Sequence, residues 1–295
     1  MEKNNFLNNK PMLLDEIFKP FNNKDYIFEI KYDGIRALIY INNEEIIIKS
    51  RNNTILNELY PELLKIKNIT KDECIFDGEI VLFENEKPSF SKLQERNRLK
   101  NKDKIKTISK NNPVTFICFD ILYKKYDLTN KTLMERKEIL NKFKDNDVFQ
   151  KTKYFEEYGE DLFKLAKKEN LEGIIAKLKR SIYTYNIRCK EWIKIKNFKT
   201  DKFYICGYIN NTDKYIIVLI LGELKNNKYY YVGKVILGKK DKLYNIIIKE
   251  KELNKSSLVD YDKKEATYIK PKHLINISYI ERTKNNLLRQ PFIKK

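Results

Sequence analysis

Lys31-Tyr32-Asp33-Gly34-Ile35-Arg36 joins an amine, a carboxylate and a guanidinium within six residues. The chemistry on offer is nucleophilic, because a lysine amine attacks an electrophile once its proton has left. Positive neighbours or loss of solvent would lower the pKa that holds that proton. Read alone, the same hexapeptide is an ordinary turn, since Asp-Gly is a common hairpin signal. Two further segments bear on the choice. Phe76-Asp77-Gly78-Glu79-Ile80-Val81 and Leu171-Glu172-Gly173-Ile174-Ile175-Ala176-Lys177 each set a carboxylate inside an apolar run. Buried charges need partners, so Glu79 and Glu172 are candidates to hold a divalent cation, a hard ion that prefers oxygen. Exposed sheet edges are the plainer explanation of each run taken singly. Lys194-Ile195-Lys196 offers two ammonium groups on one strand face, suited to a phosphate, although lysines two apart are common in so lysine-rich a chain.

The elements that would carry these residues are mostly short strands. Residues 26–31 have strand-forming side chains, and a period of two sends Glu29 and Lys31 to one face. Further strands are expected over 36–41, 45–49, 74–83, 114–123, 171–177 and 190–196. In the last of these, Trp192, Lys194 and Lys196 share a face, while Ile193 and Ile195 point the other way. Helices are expected over 90–101, 133–143 and 160–170, the second opened by the capping box Thr132-x-x-Glu135. Strands interrupted by helices without regular alternation indicate an α+β fold with antiparallel sheets. Beyond residue 198 the pattern turns to β runs over 203–208, 215–221 and 229–237. A helix over 241–251 and a last strand near 275–280 follow. A segment of this size and pattern fits a small Greek-key barrel such as an OB-fold. Two domains are therefore expected, 1–198 and 199–295, joined by a short hinge at 199–202.

Composition narrows the partners. Lys and Arg number 60 against 41 Asp and Glu, a formal charge of +19. Such an excess favours a polyanion, since each neutralised phosphate releases counterions; solubility alone is the competing explanation. No apolar run is long enough for a membrane span, and residues 1–5 lack the apolar core of a secretory signal. Cys74, Cys118, Cys189 and Cys206 form no C-x-x-C pair, so neither a zinc knuckle nor a disulfide framework is indicated. Cys118, inside an apolar run, is expected to be a small core residue, and His273 lies outside every candidate site. No membrane association and a cytoplasmic, nucleoid-associated monomer are expected.

In order along the chain stand K-x-D-G-x-R at Lys31–Arg36, S-R at Ser50-Arg51, D-G-E at Asp77-Gly78-Glu79 and F-D at Phe119-Asp120. E-G-x-x-x-K follows at Glu172–Lys177, then K-x-K at Lys194-Ile195-Lys196 after Trp192. With these motifs the chain resembles the ATP-dependent DNA ligases of the nucleotidyltransferase superfamily, most closely the ligase domain of bacterial ligase D. The second domain adds Tyr231-Val232-Gly233-Lys234-Val235 and Leu288-Arg289-Gln290-Pro291-Phe292, so the resemblance runs from about residue 26 onward.

The resemblance implies a nucleotidyltransferase domain followed by an OB-fold, with ATP and Mg2+ or Mn2+ as cofactors. It implies that Lys31 carries AMP as a phosphoramidate and that Glu29 reads the adenine amino group. Phe119 would stack on the base, with Ile174 or Ile175 on its other face, and Lys177 would complete the nucleotide pocket. Arg36 and Glu79 would meet the ribose, Glu172 and Glu79 the metal, and Lys194 and Lys196 the α-phosphate. Arg51 would grip the 5′-phosphate of a nick, and Asp33 would assist the closing attack by the 3′-hydroxyl. Nicked duplex DNA is the implied partner, with a Ku-type end-binding protein a further one if the chain serves end joining. RNA ligation or guanylyl transfer shares the lysine motif, and a non-catalytic nucleic-acid binder would share the fold. The family's closing R-x-D-K motif, which orients pyrophosphate, would fall where the sequence reaches Phe292-Ile293-Lys294-Lys295. Substitution by Arg289 or Lys294, a slow first step, or a shorter chain than its relatives are the alternatives.

Overall fold

The computed structural model of the chain describes residues 6–211 and 215–293. It comprises two compact units, Met1–Asn197 and Phe198–Lys295. Among the described residues no helix is long and apolar enough to cross a membrane.

Apart from two-residue pieces, the strands of the first unit are β1 (Leu13–Ile17), β2 (Asn23–Ile30), β3 (Ile35–Ile41), β4 (Ile46–Ser50), β5 (Cys74–Glu84), β6 (Val114–Lys124), β7 (Phe149–Lys151), β8 (Tyr154–Glu157), β9 (Gly173–Leu178) and β10 (Arg188–Lys196). Its helices are α1 (Phe90–Asn97), α2 (Lys102–Asn111), α3 (Leu133–Asn141) and α4 (Gly159–Lys168), with a 3-10 segment at Pro61–Ile69. One sheet has the order β1-β10-β9-β2-β8, with β1 parallel to β10 and the other pairs antiparallel. The other has the order β4-β3-β5-β6, extended by β7 parallel to β6.

Alternation along the first sheet divides its side chains cleanly. Phe28, Ile174, Ala176 and Ile195 point to one face and bury themselves against Leu162 and Ala166 of α4. Ile27 and Trp192, from the opposite face, join Leu38, Tyr40, Ile75 and Leu122 of the second sheet in one apolar layer. The two sheets therefore pack on each other, and full burial of each such side chain is worth about 1.5–3 kcal/mol. Behind the second sheet a larger core gathers Ile39, Phe76, Phe116 and Phe149 with Leu63 of the 3-10 segment and Leu93 of α1. Cys118 lies there too, buried, as its apolar setting predicts.

Several expected elements are shifted. The helix predicted over 90–101 is shorter, ending at Asn97, and α2 is an unpredicted helix beyond that span, capped by Asn101, whose side chain accepts from the Lys104 amide at 2.9 Å. The strand predicted over 171–177 starts at Gly173, so Glu172 precedes it rather than lying within it. Strands β1, β7 and β8, too short to show a period, are additions. The capping box at Thr132 and Glu135 is present in both directions.

In the second unit β11 (Lys199–Asn211), β12 (Ile216–Lys225), β13 (Lys228–Gly238), β14 (Thr267–Ile269) and β15 (Leu274–Tyr279) are joined by one helix, α5 (Lys242–Ile247). Their order is β13-β12-β11-β14, with β15 also on β11. Strand β11 pairs with β15 through residues 199–204 and with β14 at Gly207 and Tyr208. One long strand thus bends across two partners around a core of Phe203, Leu219, Val232, Ile269 and Ile277. A Cβ at Gly207 would sit 2.6 Å from the Thr267 carbonyl, so only glycine admits the close approach of β14. This is the OB-fold expected from the β runs. The predicted hinge at 199–202 is corrected: those residues are paired with Asn276–Tyr279, as β strand. Only Asn197 and Phe198 separate β10 from β11.

Candidate active site

A row of residues crosses the first sheet in register. Glu29 of β2 faces Ile175 of β9, Ile175 faces Lys194 of β10, and Lys194 faces Glu16 of β1. A neighbouring row sets Ile27, Lys177 and Trp192 side by side. Because register partners share a face, Glu29, Ile175, Lys177, Trp192, Lys194 and Glu16 all project toward one side of the sheet. Lys31 continues β2 by one step, its amide donating to the Gly173 carbonyl at 3.0 Å. Gly173 in turn stands opposite Lys196.

Lys31 Nζ donates to Glu172 Oε2 at 2.6 Å, and Glu172 is nearly buried. Burial pulls the Lys31 ammonium down, but the charges of Glu172, Glu79 and Asp33 outweigh it and hold the pKa above the ordinary lysine value. The expectation of a lowered pKa is met only in its desolvation half; in the resting site the lysine keeps its proton. Burial likewise pushes the Glu79 carboxyl up to about 8, against the opposing pull of Lys31 and Arg36. Gly173 fixes the approach of Glu172. Its φ is +143°, and a Cβ there would lie 2.1 Å from the Ile195 carbonyl.

Arg36 stands opposite Glu79 on adjacent strands. Its guanidinium forks onto Asp77, Nε to Oδ1 at 3.1 Å and Nη2 to Oδ2 at 2.7 Å, and Tyr183 Oη donates to the same Oδ2 at 2.7 Å. Asp77 and Tyr183 therefore set the guanidinium plane, with Arg36 lying 5.3 Å from the centre of the Phe119 ring. Phe119 is half-buried, edge-on to Trp192 at 6.3 Å. Lys177 lies between these two aromatics, 4.3 Å from Phe119 and 4.1 Å from Trp192.

Glu29 is buried between two lysines, Lys177 at 2.7 Å and Lys137 of α3 in a short contact with its other oxygen. Burial lowers the Lys177 pKa to about 8, with Glu29 opposing and Lys137 reinforcing. Next to Lys137, Arg136 clamps Asp120 through Nε at 2.9 Å and Nη2 at 2.8 Å, both side chains fully buried. The F-D motif thus divides its work: Phe119 faces the site, and Asp120 anchors α3 behind it. Lys194 and Lys196 reach one shared carboxylate, Glu16, at 3.0 and 3.4 Å. Arg51 is exposed just beyond β4, its backbone amide donating to the Arg36 carbonyl at 3.1 Å. Asp33 is half-buried in the turn after Lys31.

Of the predicted site residues, Ile174 is misplaced. It lies on the reverse face of the sheet, fully buried among Phe28, Leu162 and Ala166, and the face that carries Glu29 and Lys194 presents Ile175 instead. A one-residue step along a strand reverses the side. Sequence reasoning missed Glu16, Lys137 and Tyr183. Lys137 had a readable neighbour, the capping box that opens its helix, but nothing in the sequence pointed it toward Glu29. Arg289 pairs with Glu281 at 2.9 Å, and Lys294 lies outside the described residues. His273 pairs with Glu250 at 2.7 Å in the second unit.

Among the described residues, no three carboxylate, imidazole or thiol side chains converge as a metal cage. Glu172 and Glu79 nonetheless suit an ion such as Mg2+, which takes one or two carboxylates and completes its shell from substrate phosphates and water.

An α+β unit that brings a lysine, two carboxylates and a lysine pair together, followed by an OB-fold, defines a covalent nucleotidyltransferase. Residues 8–196 match the family of the ATP dependent DNA ligase domain, and the chain belongs to that family. It is 32% identical over 210 residues to the SPbeta prophage-derived DNA ligase-like protein LigB of Bacillus subtilis, covering 70% of this chain and 74% of that protein. With the bifunctional non-homologous end joining protein LigD of the same organism it shares 28% over 74% of this chain, but spans only 38% of that protein. In structure it is similar to mycobacterial DNA ligase D complexed with ATP and MES, with a TM-score of 0.60, 24% identity, and 98% and 94% of the two chains covered. That last likeness supports the fold.

Proposed function

We propose that this chain seals nicks with a 3′-hydroxyl and a 5′-phosphate in duplex DNA, through AMP carried on Lys31. The amine of Lys31 attacks the α-phosphorus of ATP, a P–N bond forms, and pyrophosphate leaves with the bonding electrons. A 5′-phosphate oxygen at the nick then attacks the same phosphorus and returns Lys31 to its amine. Attack by the 3′-hydroxyl on the activated 5′-phosphate expels AMP and closes the strand.

The observation that carries this reading is the Lys31–Glu172 contact at 2.6 Å on the sheet face that also holds Lys194 and Lys196. Lys31 must first lose its proton, and the carboxylates of Glu172 and Glu79 are what hold it. A divalent cation bound by those two carboxylates would offset their charge and release the amine. Lys194 and Lys196 neutralise the charge that develops on the α-phosphate. Phe119 and Ile175 flank the base, Glu29 and Lys177 meet its edge, and Arg36 and Glu79 meet the ribose. Arg51 takes the 5′-phosphate, and Asp33 assists the last step.

Nicked duplex is the substrate in repair or end joining in the cytoplasm, where a Ku-type protein would deliver the ends. Incubation with α-labelled ATP and magnesium tests the reading. Label should appear on wild-type protein and be absent from Lys31→Ala, which should still seal a pre-adenylylated nick weakly. Label retained by Lys31→Ala would sink the assignment of the nucleophile, and no label on the wild type would favour a non-catalytic binder.

A further inference from the structure

The lysine pair of β10 is not open. Glu16 of β1 meets Lys194 through Oε2 at 3.0 Å and Lys196 through Oε1 at 3.4 Å, one oxygen for each ammonium. The arrangement is fixed by the backbone, since Glu16 and Lys194 are register partners on adjacent strands. Two ammonium groups on one strand face repel each other, and both are largely withdrawn from water. A carboxylate between them relieves that repulsion in the way two phosphate oxygens would. The lysines in turn hold Glu16 ionised: its pKa lies below the usual glutamate value, their attraction exceeding the opposing effect of burial.

We propose that Glu16 is a resident counter-anion on this lysine pair, a positioning residue that phosphates must displace before they bind. The proposal rests on the function given above. While the phosphate site is empty, Glu16 keeps Lys194 and Lys196 aimed at one point. When a phosphate arrives, the carboxylate swings away, and after strand closure it competes for the lysines against the phosphate of the departing AMP. Glu16 thereby weakens the binding of every anion at the pair and favours release of the product. Only a ligand with several charges outcompetes it readily.

The test is Glu16→Gln, which keeps the size and removes the charge, with Glu16→Asp, too short to span both lysines, as the graded companion. Inorganic pyrophosphate binding is measured by calorimetry on the unmodified protein, and KM for ATP by labelling of Lys31. For Glu16→Gln, pyrophosphate Kd and KM should fall together by about threefold to tenfold, the scale of releasing two partly exposed ion pairs. Glu16→Asp should fall between the variant and the wild type. Unchanged values in Glu16→Gln would reduce Glu16 to a strand-edge charge. A raised Kd and KM would mean that it only braces the lysines; either result overturns the proposal. Should Glu16→Gln unfold, Glu16→Asp decides by the same signs. Calorimetry needs no turnover, so tighter pyrophosphate binding in a protein that never takes label would fault the ligase reading while leaving Glu16 in its role.

Discussion

Lys31 rests in the form that cannot attack. Glu172, a carboxylate that would bind the cation, holds the lysine's proton through a contact at 2.6 Å, and Glu79 adds its charge to that hold once it ionises. Glu79 allows the electrostatics to be tested by stability alone. Its carboxyl titrates near 8 in the fold and near 4.5 in a free chain. Between those values the unfolded state sheds the proton and the folded state retains it, so the residue costs stability as pH rises from about 4.5 to 8. Lys31, held above its ordinary value, stays protonated throughout that window and adds no slope. Glu79→Gln should therefore gain on the wild type as pH rises, matching it near pH 4 and melting a few degrees higher, roughly 2–5 °C, near pH 8.5. Parallel melting curves at both pH values would show that Glu79 is already ionised in the fold.

The elements explain why some of the site was legible and some was not. Lys31, Glu79, Glu172, Lys194 and Lys196 could be read because a charge inside an apolar run breaks the binary pattern, and such breaks mark sites. Ile174 breaks nothing. Residues 173–178 are apolar on both faces except at Lys177, so alternation gave no sign of which isoleucine shares the face of Glu29 and Lys194. Glu16 stayed hidden because β1 spans five residues and pairs with a strand more than 170 positions away. Lys137 owes its place to the pose of α3, which tertiary contacts set. Two predictions belong here. Gly173→Ala forces a Cβ against the Ile195 carbonyl at a φ of +143°, and should cost on the order of 2–4 kcal/mol by denaturant melts. Because Glu172 is the preceding residue, label uptake on Lys31 should fall further than the loss of folded protein explains, and a fall matched to the folded fraction would detach Gly173 from the site. Thr132→Ala removes the cap of α3, the helix that brings Lys137 to Glu29, and should cost about 1 kcal/mol. A cost near zero would show that the Arg136–Asp120 clamp alone holds the helix.

At the scale of the molecule, charge separates the two halves of the reaction. The chain carries +19, spread over both units, whereas the candidate site is a local balance of Lys31, Lys137, Lys177, Lys194 and Lys196 against Glu16, Glu29, Glu79 and Glu172. Under the proposed function, labelling of Lys31 by ATP would draw on the local groups, which burial shields from salt. Binding a nicked duplex draws on the surface excess, and each neutralised phosphate releases counterions. Log affinity for nicked duplex should therefore fall against log salt with a slope of about −0.9 per phosphate contacted, and a loss of roughly a thousandfold between 50 and 200 mM would mark six or more contacts. The labelling rate without DNA should change far less across the same range. Run side by side, the two titrations weigh the net charge against the site. A flat DNA curve would contradict a role on duplex DNA whatever Lys31 does. A labelling rate that collapsed in step with DNA affinity would mean that the nucleotide, too, is held by surface charge rather than by the buried pairs.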